Sequence, residues 1–515
     1  MSEQKLESDA NGVVETRAGS VRGAFAQGIF SFKGIPYGAP PVGANRFLPP
    51  REVERWEGVR DALVFGPDAP HTRGRSEAQN NLDREPDEDC LLANVWTPGL
   101  DDAKRPVMFW LHGGGFVSGS GSGSYYDGAN ISRRGDIVLV SINHRLGALG
   151  FLHLFDVDAD AARSVNVGML DIVLALEWVR DNIERFGGDP ENVTIFGESG
   201  GGRKVTSLLA MPTARGLFHK AVIQSGPAVF MNDRKAVKRL AETMLAELGI
   251  EKEPLETLQK LPLEKILDAQ NAVLDKIGPN AEGLAQTFAA VVDGEILPHH
   301  PFNPEAPAAS EDIPVIVGYN RTEATLFMGR DPDLLELSEA GLLQRITKAH
   351  GDDASRLIDI YRKANPQATC SDLLAYILTG ARRYPIDSIK IAERKAKRGG
   401  APVYLYTLTW QTAASRGALR TPHALEIPLV FDNVERADRF VRPADAAQPL
   451  ADIMSDTWIN FARTGNPNHD GLPEWPSYSL DARATMIFDL PCRIENDFGT
   501  TERTAWEPVF YENAE

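Results

Sequence analysis

Residues Val193–Gly201 read Val-Thr-Ile-Phe-Gly-Glu-Ser-Gly-Gly. A short β-branched and aromatic run ends in Gly-x-Ser-x-Gly, and residues 202–210 then read as a helix. A serine forced onto so sharp a strand-to-helix turn needs a strained backbone, and side chains at 197 and 201 would collide with the strand and the helix. Glycine stands at both positions. The turn lifts the Ser199 hydroxyl above the sheet edge, and the helix behind it points its first N–H groups at a charge developing there. Gly-x-Ser-x-Gly alone is a common pattern; its strand–turn–helix setting is what points to a nucleophile.

Similar apolar runs recur on both sides of this segment, each ending in a Gly-rich or polar turn: Pro106–Trp110, Ile137–Ile142, Ala221–Ile223, Pro314–Tyr319 and Pro402–Leu408. Between them lie helical patterns. Val167–Phe186 carries Ile172, Leu174, Ala175, Trp178, Val179 and Ile183 on one face and stops at Gly187-Gly188, with Asp189-Pro190 leading into the next strand. Such alternation predicts an α/β fold, a large and mostly parallel central sheet covered by helices on both faces. Residues 1–515 are expected to form one catalytic domain. Two charged amphipathic stretches within it, 233–277 and 333–397, read as helical insertions that wall a site or, equally, as solvated outer helices.

Upstream of the serine, the run Pro106–Trp110 leads into His112-Gly113-Gly114-Gly115-Phe116. Main-chain N–H groups of such a loop can approach a substrate oxygen because no β-carbon stands in the way. The N–H groups of Gly114, Gly115 and Gly200 are the candidate oxyanion hole, each donor being worth roughly 3–4 kcal/mol in the transition state. Gly119, Gly121 and Gly123 extend the loop and invite a nucleotide reading, but no Walker pattern is present and these glycines open no helix.

A serine needs a base. On folds that present it on such a turn, the chain order is serine, acid, histidine. His219 comes too early, His299 and His300 precede the best acid, His350 lies in a charged helical stretch and His469 in a turn. His423, in the loop after Pro402–Leu408, is the candidate base. For the acid, Glu323 follows the run Pro314–Tyr319, and from position alone Asp331 and Asp333 compete with it. With a histidine base, activity is expected to fall as pH drops through about 6–7.

Composition narrows the class. The 515 residues carry 54 Lys+Arg against 72 Asp+Glu, a net charge of −18, which disfavours nucleic acid and anionic membranes as partners. Residues 1–12 show no signal-peptide pattern, and no run is long and apolar enough to span a bilayer. The three cysteines, Cys90, Cys370 and Cys492, rule out a disulfide framework and fit a reducing cytoplasm. No His-Glu-x-x-His or Cys/His cluster is present, so neither metal nor cofactor is expected. A small molecule is the expected partner, an ester by the resemblance that follows, and the chain is expected to be a monomer or a weak homo-oligomer.

At these residues the chain resembles the type-B carboxylesterase family, which includes cholinesterases and bacterial p-nitrobenzyl esterases. The likeness runs from Val21-Arg22-Gly23 and Phe32–Pro41 through Glu88–Leu91, the His112–Phe116 loop, Asn143–Leu152, Ala175–Pro190 and Gly216–Gly226 to Phe461–Asn468. The resemblance implies an α/β-hydrolase fold, cofactor-free ester hydrolysis through an acyl-enzyme, and a triad of Ser199, Glu323 and His423. It also implies that Glu198 and Ser225 support the triad from around it. Amide or carbamate hydrolysis by the same groups is the near alternative. A non-catalytic recognition module is the distant one, since adhesion relatives lack the serine kept here.

Three departures stand out. Gly200 replaces the alanine usual in animal members, which predicts an intact but looser oxyanion hole. No cysteine lies near 66–70 to pair with Cys90, as one does in secreted relatives. Arg203-Lys204 replaces small or neutral residues, and either one would favour anionic substrates if it reached the pocket.

Overall fold

The computed structural model describes residues 12–71, 84–158, 161–277, 287–329 and 331–511; the start of the chain, read above for a signal pattern, lies almost wholly outside them. Among the described residues the strands are β1 Val13–Glu15, β2 Ser20–Arg22, β3 Ala24–Ala26, β4 Ile29–Pro36, β5 Val59–Asp61, β6 Leu92–Thr97 and β7 Arg105–Leu111. They continue as β8 Val138–Ile142, β9 Gly188–Glu198, β10 Lys220–Gln224, β11 Val315–Asn320, β12 Val403–Leu408, β13 Ala484–Phe488 and β14 Arg493–Asn496. β1, β2 and β5 form a small sheet, and the others form an 11-stranded sheet in the order β14-β13-β12-β11-β10-β9-β7-β8-β6-β4-β3. From β13 to β8 every neighbouring pair in that order is parallel; the strands at both edges are antiparallel.

The apolar runs alternate between two cores. Val107, Phe109 and Leu111 of β7 face one cluster while Met108 and Trp110 face the other. Val315 and Val317 of β11 join the first and Ile316 the second. Both faces are therefore buried, which is why these strands are apolar throughout rather than every second residue.

One consequence positions the site. β7, β9, β11 and β12 run the same way, so Leu111, Glu198, Asn320 and Leu408 all end at one edge of the sheet. The loops that follow them carry the glycine run, Ser199, Glu323 and His423. Side chains far apart in sequence converge at the carboxyl ends of a parallel sheet.

Local boundaries differ from the expectations. β9 spans Gly188–Glu198, so Asp189-Pro190 lies inside the strand, held by the pairing of Gly188 with Arg105 of β7. The helix expected over 167–186 is α-helical only to Asn182 and tightens into a 3₁₀ turn, Ile183–Phe186, before Gly187 ends it at φ 77°. The helix after the serine starts at Gly200, two residues early, and ends at Leu208. The stretch 233–277 holds helices Arg234–Leu248, Pro254–Lys260 and Leu263–Ile277, and 333–397 is largely helical too. No helix among the described residues is long and apolar enough to cross a membrane.

Candidate active site

Ser199 sits at φ 56°, ψ −120°, a backbone state that costs on the order of 1–3 kcal/mol and needs support from its surroundings. Its N–H donates to the Gln224 carbonyl at 2.9 Å. The flanking glycines are sterically required. A β-carbon at 197 would lie 2.6 Å from the Leu111 carbonyl oxygen, and one at 201 would lie 1.9 Å from it. Strand, turn and helix are thus pressed backbone to backbone against the end of β7.

The loop leaving β7 turns at Gly114 (φ 90°) and Gly115 (φ 66°), and the Gly114 carbonyl accepts the N–H groups of Val117 and Ser118. Neither Gly114 nor Gly115 donates its own N–H to an acceptor among the described residues. Gly200, at the first turn of its helix, likewise lacks an intrahelical acceptor. The looser backbone expected at Gly200 is not what the structure has. A β-carbon there would stand 2.0 Å from the Gly115 carbonyl oxygen, so loop and helix are packed too closely for alanine in this arrangement.

His423 Nδ1 donates to Glu323 Oε2 at 2.5 Å, and both side chains are buried. The other Glu323 oxygen accepts the N–H of Asn320 at 2.7 Å, which orients the carboxylate. The competing acids are engaged elsewhere, Asp331 and Asp333 each pairing with Arg345 at 2.7 Å. On its far side the imidazole meets Glu198, whose Oε1 lies 3.0 Å from Nε2 without hydrogen-bond alignment. A β-carbon on Gly113 would touch Glu198 Oε2 at 2.9 Å and Ser199 Cβ at 3.4 Å. Glu198 therefore stands among the glycine loop, the serine and the imidazole. Nε2 forms no hydrogen bond in this state, so no Ser199–His423 bond is made; such bonds commonly tighten only when substrate is bound.

Electrostatics follow from burial. Burial lifts the Glu198 carboxyl well above its usual range, with His423 opposing and Glu426 and Glu323 adding to the rise. Burial alone would lower His423, but Glu198, the Tyr384 phenol and Glu323 outweigh it and hold the imidazole well above 6.5. That moves the expected window of 6–7 upward.

One carboxylate escaped the sequence reading. Glu426 accepts Ser225 Oγ at 3.2 Å and Asn320 Nδ2 at 2.5 Å, and burial followed by repulsion from Glu323 pushes it up to about 7. Ser225 thus touches Glu426 rather than the Glu323–His423 pair. The available signal was the spacing His423-x-x-Glu426, which turns both side chains inward as the short helix Glu426–Val430 begins.

Beside these groups opens a cleft lined by Phe116, Arg203, Ala228, Phe230, Arg382 and Tyr384, among others. The Tyr384 and Phe327 rings lie 5.0 Å and 5.1 Å from the His423 ring, and Arg382 stacks over Phe327 at 4.0 Å. The stretch 333–397 supplies part of this wall. Among the described residues no part of 233–277 lines it, though Asn232 and Thr287 on either side do. Of the two basic residues after the turn, Arg203 reaches the cleft and Lys204 is buried beneath the loop. Cys90, Cys370 and Cys492 are all free thiols.

Comparison with known proteins shows the family. The model of the carboxylesterase family matches residues 10–506. Among curated proteins, a para-nitrobenzyl esterase of Bacillus subtilis is 36% identical over 94% of this chain and 96% of its own length. A phenmedipham hydrolase of Pseudarthrobacter oxydans is 33% identical over 92% and 94%. Among solved structures, a Geobacillus stearothermophilus carboxylesterase superposes with a TM-score of 0.83 at 38% identity, covering 96% of this chain and all of that one.

Proposed function

The chain belongs to the carboxylesterase family, and we propose that it hydrolyses carboxylic esters through an acyl-enzyme formed on Ser199, with His423 as base and Glu323 as its carboxylate partner. Glu323 holds the Nδ1–H tautomer and leaves the Nε2 lone pair for the serine proton. Ser199 Oγ attacks the carbonyl carbon as Nε2 takes that proton, and the oxyanion settles on the N–H groups of Gly114, Gly115 and Gly200. Collapse breaks the bond to the alcohol, which leaves with the proton from Nε2. Water then repeats the sequence on the acyl-enzyme, releasing the acid and restoring Ser199. With three free thiols, a reducing compartment such as the cytoplasm fits this reading.

The observation that carries it is the meeting, at one sheet edge, of a serine at φ 56° on a glycine-flanked turn and a buried imidazole 2.5 Å from a carboxylate. A fluorophosphonate probe is expected to label the protein once, at Ser199. Ser199→Ala is expected to stay folded, refuse the probe and lose about ten-thousand-fold or more in turnover. Wild-type turnover in that variant would sink the assignment. A series of p-nitrophenyl and p-nitrobenzyl esters, run with one anilide and one carbamate, separates ester preference from its alternatives.

A further inference from the structure

A buried lysine lies under the glycine loop with no counter-charge among the described residues. Lys204 is fully buried on the helix Gly200–Leu208, one turn beyond the serine. Its Nζ donates to the carbonyl oxygen of His112, the first residue of the loop, at 3.0 Å, and sits 5.7 Å from the Phe116 ring. Among the described residues no carboxylate acts on it, and burial lowers its pKa to about 7. The titratable groups that feel its charge are His112 and His144, whose rings stack at 5.1 Å. Burial first, and Lys204 next, hold both imidazoles well below 6.5, so they are neutral. Each turns Nδ1–H to a main-chain carbonyl, that of Gly113 at 2.8 Å and of Arg145 at 2.9 Å. Nearby Arg145 is neutralised by Asp171 at 2.6 Å.

A charge buried without a partner costs several kcal/mol that an apolar side chain of similar length would not. What sets Lys204 apart is its reach. Two of the three candidate oxyanion donors belong to the loop and the third, Gly200, to the helix. Elsewhere loop and helix meet in close backbone contact, at Gly115 against Gly200 and at Leu111 and His112 against Gly201. The Lys204 side chain spans from helix to loop. Accordingly, we propose that Lys204 is a positioning residue of the oxyanion hole: by gripping the His112 carbonyl it clamps the loop carrying Gly114 and Gly115 against Gly200. The proposal rests on the catalytic reading of Ser199 given above.

The test compares wild type, Lys204→Met and Lys204→Gln in three readings. These are kcat and KM on p-nitrophenyl acetate, the affinity for an aryl trifluoromethyl ketone relative to its methyl ketone, and thermal stability against pH. The trifluoromethyl ketone adds to the serine and makes an oxyanion, whereas the methyl ketone reports ground-state binding. For Lys204→Met, kcat is expected to fall about tenfold or more with KM little changed, and the ketone ratio to fall with it. Stability is expected to move the other way. Between the folded pKa near 7 and the unfolded 10.5, the unfolded chain holds the extra proton, so wild type gains stability as pH rises through that window. The methionine variant should therefore be the more stable protein at pH 7, with its advantage fading towards pH 10. Lys204→Gln keeps a donor and should retain more kcat than the methionine.

Wild-type kcat and ketone ratio in Lys204→Met overturn the proposal. So does a fall in kcat that accompanies lowered stability with the ketone ratio intact. If the methionine variant is insoluble, unchanged kcat and ketone ratio in Lys204→Gln overturn it equally. Failure of the wild type to bind the trifluoromethyl ketone more tightly, or full activity in Ser199→Ala, would instead strike the catalytic reading itself.

Discussion

Two carboxylates flank one imidazole, and they act on it differently. Glu323 bonds Nδ1 and sets the tautomer, while Glu198 faces Nε2 without a bond and acts through charge. Because both favour imidazolium, the acid limb of kcat/KM is expected to have its midpoint above pH 6.5. Glu198→Gln removes a charge that raises the imidazole, so it should move that midpoint to lower pH; a midpoint that stays put would show Glu198 to be electrostatically idle. Glu426 makes a separate prediction about stability. Its folded pKa, about 7, exceeds the 4.5 of the free group, so the folded state binds the extra proton in between. That contribution is complete below 4.5 and is lost as pH rises through about 7. Glu426→Gln, which stays neutral, should gain in melting temperature relative to wild type at pH 8 compared with pH 5.

Among the elements, the turn at Ser199 depends on how closely β7, β9 and the following helix approach. At Gly201 the hypothetical β-carbon meets main chain, the Leu111 carbonyl at 1.9 Å, and main chain at the centre of a sheet cannot step aside. Gly201→Ala is expected to cost roughly 2 kcal/mol or more, read as a lower denaturant midpoint, and to lower kcat by shifting the serine. An unchanged midpoint would mean that the helix can slide away from β7. The same crowding explains Gly200, where the approaching atom belongs to the glycine loop, at the Gly115 carbonyl.

Across the whole molecule, the end of the chain braces the acid loop. Arg321, two residues before Glu323, pairs with Glu502 of the helix Thr500–Phe510 at 2.7 Å, and both side chains are largely buried. In that helix Trp506 bonds the Tyr361 hydroxyl within a third apolar cluster, drawn largely from the stretch 333–397. Glu502→Gln leaves the Arg321 guanidinium without its charge partner, and breaking such a pair costs about 3 kcal/mol or more. Thermal melting should register that loss. Activity should fall as well, since the loop holding Glu323 loses its brace; a variant with wild-type melting and turnover would remove the terminal helix from this account.

What the sequence determined by itself was everything written in local sterics and strand periodicity. The glycine-flanked serine, the glycine loop, the sheet covered on both faces, and Glu323 and His423 as partners all depend on residues near one another in the chain or on a motif order that many chains share. Even there the choice among Glu323, Asp331 and Asp333 needed the resemblance, because loop carboxylates look alike until Arg345 is seen to hold two of them. Tertiary structure alone decided that Glu198 faces His423, that Glu426 sits behind Ser225 and Asn320, that Arg203 meets the cleft, and that Lys204 is buried against His112. The reason is physical: a charged side chain reads as solvated in sequence, and only the packing of distant elements shows which ones have been taken out of water.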